Sequence, residues 1–286
     1  REKGERSSLF PLLSALSGRA RIAVQTLGLS IESCAERRME AVLDLLQQSK
    51  RRRPAADDRE PVPLLEPGDH LNQPTFHARY EMMPEDVKAE LIGGVVFMSA
   101  ALRRQHGRSS GLLVHWLRAY EDDTPGVEVY DNATTIIGDD SEPQPDACLI
   151  VQPECGGQMR VTDEDYLQGA PELVGEVASS TEAYDLHSKK RDYERAGVKE
   201  YLVIALRQQT VFWFVNRGGK FEAKPPEADG VIRSEVFPGL WLDPAALVGL
   251  NGRRLLEVLR QGLATSEHAA YAAELAARRP DDSATR

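Results

Sequence analysis

The stretch Pro145-Asp146-Ala147-Cys148-Leu149-Ile150-Val151 places a charged residue at the start of an apolar run. Such a run is typical of a strand buried on both faces, where an unpaired carboxylate such as Asp146 is costly. The stretch Leu173-Val174-Gly175-Glu176-Val177 repeats the pattern, with Glu176 as its single charge. If the two strands are neighbours, the carboxylates converge, and they then need a cation between them to be ionised together. The sequence therefore predicts a cation-binding pair of acids, although water also commonly solvates acidic residues near strand ends.

Further strand-like and helical patterns surround these two runs. The strand-like runs are Leu91–Met98, which contains Gly93-Gly94, and Val127–Tyr130, Thr134–Ile137, Glu200–Ala205, Thr210–Val215 and Lys220–Ala223. The helical patterns in the same region are Pro84–Glu90, Gln105–Tyr120 and Asp185–Ala196. Strands combined with so few helices predict an α/β or α+β core.

The patterns divide the chain into three parts. The pattern over residues 1–74 predicts an N-terminal extension. Apolar residues at helical spacing over Ile31–Gln48 indicate a helix, and a linker rich in Pro and Asp follows it. Residues 75–250 carry the mixed strand and helix pattern. Residues 251–286 predict a helical C-terminal extension rich in Ala, Leu and Arg.

Composition limits the class of protein. The formal net charge of −10 argues against a protein that coats nucleic acid through bulk electrostatics, but leaves a local basic cleft open. The three cysteines lack a Cys-x-x-Cys spacing, which favours a reducing, cytoplasmic compartment without structural zinc. No apolar stretch is long enough to cross a membrane. The sequence does not begin with methionine, and two interpretations stay open: either it is a fragment, or residues 1–38 are extra translation ahead of a start at Met39.

A basic helical segment follows Glu176. Lys189 and Tyr193 are four residues apart and so share one face of a helix. A lysine beside two carboxylates can orient an attacking water and stabilise the charge of a phosphoryl transition state. The alternative is that Lys189, Lys190 and Arg191 form a solvated helix face.

The order of these segments resembles a known family. The segments are Ala89-Glu90-Leu91-Ile92-Gly93-Gly94-Val95-Val96, Pro145-Asp146, Glu176-Val177, Asp185 to Lys189, Tyr193 to Val198, and Ser234 to Leu240. Together they make the chain similar, over about residues 75–245, to the putative restriction endonuclease domain family of cyanobacteria and planctomycetes. That family lies within the PD-(D/E)XK nuclease superfamily. The resemblance implies an α/β, restriction-endonuclease-like fold, with a mixed central sheet flanked by helices and a Mg²⁺-dependent phosphodiesterase site.

The resemblance also implies which residues bind the metal. Asp146 and Glu176 match the two metal ligands, and the main-chain carbonyl of Val177 is a third candidate. Glu90 matches the acid that the superfamily places on its first helix, and it is expected to bind a second metal or a water. Mg²⁺ is the expected cofactor, with Mn²⁺ as a substitute.

The catalytic lysine departs from the superfamily pattern. That lysine normally lies two residues after the glutamate on the same strand, and Ala178 occupies this position. The resemblance places the amine on the following helix instead, at Lys189. The candidate substrate-binding residues are Arg104, His106, Lys190 and Tyr193. For His106, contact with a phosphate or a metal-bound water competes with a plain position at a helix start.

The sequence thus predicts an enzyme, a Mg²⁺-dependent endonuclease that acts on nucleic acid, with DNA as the default partner. The alternative is a nuclease-fold binding module with weak or no catalysis, which the net negative charge and the absent strand lysine favour. No membrane partner is expected, and a homodimer is left open.

Overall fold

A mixed β-sheet forms the centre of the fold. The computed structural model describes residues 62–84, 86–99, 102–179 and 182–279. The helix expected over Ile31–Gln48, and the rest of the expected extension up to residue 61, lie outside the described residues. The described residues belong to one unit that begins at Val62.

Thirteen strands and six α-helices make up this described part. The strands are β1 Ala89–Ile92, β2 Val95–Met98, β3 Val127–Tyr130, β4 Thr135–Ile136, β5 Ala147–Val151, β6 Arg160–Val161, β7 Leu167–Gln168, β8 Leu173–Ala178, β9 Glu200–Ala205, β10 Thr210–Arg217, β11 Lys220–Ala223, β12 Ile232–Arg233 and β13 Trp241–Leu242. The helices are α1 Gln73–Tyr80, α2 Arg104–Glu121, α3 Lys190–Ala196, α4 Pro244–Val248, α5 Gly252–Leu263 and α6 Ser266–Arg278. A π-helical turn, Tyr184–Lys189, leads directly into α3. No helix among the described residues is long and apolar enough to cross a bilayer.

The main sheet has six strands in the order β11-β10-β9-β8-β5-β3. β8 and β9 are parallel, and the other neighbouring pairs are antiparallel. The two strands that carry a single acid, β5 and β8, are neighbours, with Ala147 opposite Gly175. The α/β class predicted from the sequence is therefore confirmed, as a mixed sheet flanked by helices.

Apolar residues cover both faces of this sheet. On one face, α2 contributes Leu113, Trp116 and Leu117, and the C-terminal helices add Leu255, Leu259 and Leu275. On the other face, Tyr193 of α3 packs with Tyr201 and Phe214 of the sheet. Burial on both faces explains why β5 and β8 are continuous apolar runs, since neither strand has a solvent-facing side.

A β-hairpin of β1 and β2 lies beside the main sheet. Its turn residues Gly93 and Gly94 both have positive φ, at 57° and 78°, a conformation that glycine adopts without strain. Leu91 exchanges main-chain hydrogen bonds with Glu142, which ties the hairpin to the segment that leads into β5. Leu91–Met98, which the sequence leaves open between a strand–turn–strand and a bulged strand, therefore forms two strands joined by a glycine turn.

The helix predicted over Pro84–Glu90 is wrong. Pro84 and residues 86–88 lie outside any helix, and Ala89 and Glu90 begin β1. Glu90 pairs with Phe97 across the hairpin, and this register buries Ala89 against the small core around Phe76. Pairing with β2 therefore outweighs the local helical preference of the segment.

Candidate active site

Four carboxylates and one lysine lie in one cleft of about 550 Å³. They are Glu90, Asp146, Glu176, Asp185 and Lys189. Glu90 lies on β1, Asp146 directly before β5 and Glu176 on β8, and the π-helical turn supplies Asp185 and Lys189. The structure thus brings together all four residues to which the sequence assigned catalysis, although they come from distant parts of the chain.

Asp146 and Glu176 are held together by the pairing of β5 with β8. Asp146 precedes β5 and accepts a hydrogen bond at Oδ2 from the Val177 N–H, at 2.7 Å. In return, the Asp146 N–H points at Glu176 Oε2, at 3.4 Å. Only 8% of Asp146 and 3% of Glu176 is exposed. Each acid therefore lies against the main chain that carries the other.

Lys189 lies among the carboxylates. Its Nζ is 2.9 Å from Glu90 Oε1 and 3.1 Å from Glu176 Oε1. Asp185 Oδ1 is 4.0 Å away, one turn earlier on the same π-helical segment. Lys189 therefore links the hairpin, the central strand β8 and the turn that precedes α3.

Tyr193 positions Glu176 and is itself buried. Its hydroxyl donates a hydrogen bond to Glu176 Oε1 at 2.8 Å, and its ring lies 5.1 Å from that of Tyr201. Burial, together with the charge of Glu176, raises the pKa of Tyr193 well above its usual value, so the phenol keeps its proton. The Tyr201 hydroxyl donates to the main-chain carbonyl of Asp185 at 2.9 Å. Tyr193 thus holds the Glu176 side chain, and Tyr201 holds the main chain at Asp185.

The cluster holds more negative than positive charge. Burial raises the pKa of Glu176 well above its usual value; Lys189 opposes this shift, while Asp146, Asp185 and Glu90 add to it. Burial lowers the pKa of Lys189, but the charges of Glu176, Glu90 and Asp185 outweigh burial and raise it well above its usual value. Lys189 is therefore an ammonium, and the remaining acids attract a further proton or cation.

His106 lies at the side of the cleft, in the first turn of α2. Its Nε2 is 3.4 Å from Asp146 Oδ2, and this contact raises the pKa of the imidazole. Its Nδ1 is buried and has no hydrogen-bond partner among the described residues. His106 thus contacts a proposed metal ligand, and not only the solvent at a helix start.

Three of the four residues predicted to bind substrate, Arg104, Lys190 and Tyr193, are not among those that line the cleft, and only His106 of the four does. Tyr193 is buried and donates to Glu176 from the protein side, so the prediction that it binds substrate is wrong. Lys190 places its Nζ 3.8 Å from the centre of the Phe214 ring, a cation–π contact on β10. Arg104 is exposed at the start of α2, whereas the neighbouring Arg103 lines the cleft. Lys190 cannot follow Lys189 into the cleft because adjacent helical residues point in different directions.

Two residues with contacts in the cluster had no predicted role. Asp185 is 4% exposed and faces Lys189, and the four-residue spacing between them is a signal that could have identified it. Gln144 donates its main-chain N–H to Glu90 Oε1 at 2.7 Å, while its side-chain amide donates to the Tyr80 hydroxyl. Since the contact with Glu90 uses the main chain, no sequence pattern could have revealed it.

The donor set fits a hard divalent cation that keeps much of its water. Among the described residues, no group of three or more His, Cys, Asp or Glu side chains is arranged as a ready-made metal site. Asp146 and Glu176 nevertheless each contact the main chain beside the other, within an excess of negative charge. Mg²⁺ is commonly held by one or two carboxylates and several waters.

The sequence pattern of the Uma2 family, described as a putative restriction endonuclease, matches residues 74–245, more than half of the chain. The chain belongs to the Uma2 family. This membership confirms the resemblance drawn from the sequence, and it supports a nuclease. The match includes every acid of the cluster and Lys189.

One solved structure similar to this Uma2 chain is that of a putative nuclease belonging to DUF820 from Anabaena variabilis. The two share 15% sequence identity, and the match covers 55% of this chain and 87% of the other, with a TM-score of 0.44. Among curated proteins, none matches the chain.

Proposed function

We propose that this chain is a Mg²⁺-dependent endonuclease that hydrolyses phosphodiester bonds of nucleic acid, with DNA as its default substrate. One observation carries the proposal. Asp146 and Glu176 lie buried side by side on neighbouring strands, with the Lys189 ammonium 3.1 Å from Glu176, in an open cleft of an Uma2 chain. Two acids and one amine held together in a cleft are the groups that metal-dependent phosphodiester hydrolysis needs.

In this proposal Asp146 and Glu176 bind the cation through their carboxylate oxygens, with the main-chain carbonyl of Val177 as a third ligand. A bound divalent ion supplies Lewis acidity toward the scissile phosphate and toward a water. Lys189 orients the attacking water and stabilises the negative charge that develops on the phosphoryl group. Glu90 holds Lys189 in place through its contact of 2.9 Å.

The remaining polar groups set the orientation of these residues. The Tyr193 hydroxyl fixes the Glu176 carboxylate from the protein side, so it acts as a positioning residue and not as a substrate contact. The Val177 N–H holds Asp146 in the same way. His106 and Arg103 lie at the side of the cleft and supply donors for phosphate oxygens.

The test is cleavage of supercoiled plasmid and of a single-stranded oligonucleotide with Mg²⁺, Mn²⁺ or EDTA. Cleavage is expected with either metal and not with EDTA. Asp146→Asn and Glu176→Gln should each lower the rate at least about 100-fold, because each removes charge from a proposed ligand. Glu222→Gln is the matched control, since Glu222 lies on β11 and pairs with Arg217 away from the cleft. Full activity of both cleft variants would end the proposal.

A nuclease-fold binding module without cleavage is a second candidate. Its support is the Lys189 ammonium, which already neutralises part of the charge of Glu90 and Glu176. Thermal unfolding with and without Mg²⁺ separates the two candidates, because a cation that binds only the folded chain raises the melting temperature. If the chain is a nuclease, Mg²⁺ should raise the melting temperature, and Glu176→Gln should abolish this rise. If it is a binding module, it should bind nucleic acid without cleaving it, and Mg²⁺ should leave the melting temperature unchanged.

A further inference from the structure

An apolar and aromatic lip borders the acid cleft. It consists of Phe97, Leu102 and Tyr184, which all line the cleft. Leu102 is 66% exposed and Tyr184 is 45% exposed, so both are unusual among large apolar side chains of the described chain. The rings of Phe97 and Tyr184 meet edge to face, with centroids 4.7 Å apart. Large apolar groups left open at the mouth of a charged cleft indicate a surface that binds something.

The lip is fixed to the same elements that carry the acids. Tyr184 is the first residue of the π-helical turn and directly precedes Asp185. Phe97 lies opposite Glu90 in the β1–β2 pairing. Any group that rests on Tyr184 therefore lies next to the proposed catalytic residues, and the position of the ring is coupled to theirs.

Positive charge lies in the same cleft. Lys88 and Arg103 line it, and both are exposed. Neither forms an ion pair with another residue in the described part of the chain, so both charges are available to a ligand in the cleft. Lys88, Arg103 and the exposed ring of Tyr184 line the same cleft. Two cations and an aromatic ring together suit a ligand that combines phosphate groups with flat, apolar rings.

We propose that the lip is a stacking platform for an unpaired base, so that the preferred substrate is a single-stranded nucleic acid. In a duplex, each base is covered by its neighbours and cannot present a face to Tyr184, whereas an unpaired base can. Lys88 and Arg103 then contact the phosphates on either side. This inference rests on the proposed function, since it assigns the substrate class of the same site.

The experiment measures binding in EDTA, which leaves the oligonucleotides intact. The probes are a fluorescent dodecamer of deoxythymidylate, an abasic strand of the same length and a duplex of twelve base pairs. The wild-type chain should bind the thymidylate strand about 5- to 150-fold more tightly than the abasic strand, the range expected for stacking of one base. Tyr184→Ala should remove this preference, and Tyr184→Phe should keep it.

Two further variants separate stacking from charge and from unfolding. Lys88→Ala should weaken the binding of the thymidylate and abasic strands by the same factor, because a phosphate contact is indifferent to the base. Val161→Ala is the control for the loss of an exposed apolar side chain, since Val161 is 54% exposed and does not line the cleft. It should bind every probe like the wild type. Tyr184→Ala should still unfold cooperatively, at a somewhat lower melting temperature because it loses the edge-to-face contact with Phe97.

Three results would overturn the inference. The first is equal affinity of the wild type for the thymidylate and abasic strands, or no binding to either. The second is unchanged base preference in Tyr184→Ala. The third is a dimer in sedimentation that Tyr184→Ala dissociates, because the lip would then be covered by a second copy. If one of these results is obtained but the chain still cleaves plasmid in a metal-dependent way, the stacking inference is wrong and the proposed nuclease function is retained. Failure of the inference can therefore be distinguished from failure of the proposed function.

Discussion

At the scale of single residues, the cleft is a balance between buried acids and one ammonium. Lys189 is the cation that Glu90 and Glu176 share, and Tyr193 is the neutral donor that holds Glu176. Neither contact can be replaced by water, because both residues are buried. Removal of either group should therefore have effects larger than those of a surface substitution.

Lys189→Ala should destabilise the chain and abolish cleavage. It leaves Glu90 and Glu176 buried without their counter-charge, and loss of one partner from a buried ion pair costs about 3–5 kcal/mol. Lys190→Ala is the matched neighbour and should cost about 0.5–1 kcal/mol, since it loses only the contact with the Phe214 ring. Urea unfolding measures both values. Equal losses for the two variants would show that Lys189 is one more surface charge.

Tyr193→Phe should slow cleavage without weakening substrate binding. The variant keeps the buried ring but removes the hydrogen bond to the Glu176 carboxylate, a contact typically worth about 1.5–3 kcal/mol when one partner is charged. A fall in kcat of about 10-fold or more is expected, with KM unchanged. Tyr201→Phe, which alters a contact with a main-chain carbonyl instead, is the comparison. A rise in KM alone for Tyr193→Phe would assign the hydroxyl to substrate binding.

At the scale of elements, the site depends on how the hairpin and α3 are joined. Asp192 of α3 accepts hydrogen bonds from the Gly93 N–H and the Ser141 hydroxyl, both at 2.6 Å. This junction fixes the β1–β2 turn, and hence Glu90, relative to α3 and to Lys189, which directly precedes it. Burial raises the pKa of Asp192, and the hydrogen bonds from Ser141 and Gly93 and the charge of Arg195 oppose that shift.

Asp192→Ala should loosen this junction. The substitution leaves the Gly93 N–H and the Ser141 hydroxyl without their acceptor, which costs about 1–3 kcal/mol for the buried Ser141 hydroxyl and less for Gly93, because Gly93 is exposed to water. We expect faster hydrogen exchange at Gly93 and slower cleavage, with the Uma2 fold retained. Arg195→Ala is the control, because Arg195 reaches the same carboxylate from the solvent side and is 58% exposed. Unchanged exchange at Gly93 would exclude Asp192 as the link.

At the scale of the whole molecule, stability should depend on pH through a buried acid remote from the cleft. Glu200 of β9 is fully buried and accepts hydrogen bonds from the Ser234 hydroxyl and from the Glu235 N–H. Burial raises its pKa to about 7. The folded chain therefore binds the proton more tightly than the unfolded chain, and this contribution to stability is complete below about pH 4.5 and is lost as pH rises through 7.

Glu200→Gln should remove this dependence. The difference in the free energy of unfolding between pH 5 and pH 8 should shrink by about 3 kcal/mol relative to the wild type. The glutamine keeps an acceptor for the Glu235 N–H and stays neutral at every pH. Parallel stability curves for the two chains across this range would contradict the prediction.

The sequence by itself determined the main sheet and its two acids. β5 and β8 could be predicted from the sequence because a strand buried on both faces is a continuous apolar run, and Asp146 and Glu176 are the charged residues at these two runs. α2 could be read because its apolar residues repeat at helical spacing. The order of these segments also predicted the family. Each of these signals lies within a short segment, so it can be recognised in the sequence without knowing which segments contact each other in the fold.

Only the tertiary structure decided how the cleft is completed. The Glu90–Lys189 contact, the Asp192 junction and the Gln144 N–H on Glu90 join segments that are far apart in sequence, and no local pattern encodes such pairings. The start of β1, at Ala89 and Glu90, was predicted to be helical because its pairing with β2, which overrides local helical preference, is not visible in the local sequence. The direction of Lys190 was missed because the π-helical turn sets which face of α3 points inward. Packing between distant elements selects these arrangements, and that selection depends on the whole fold.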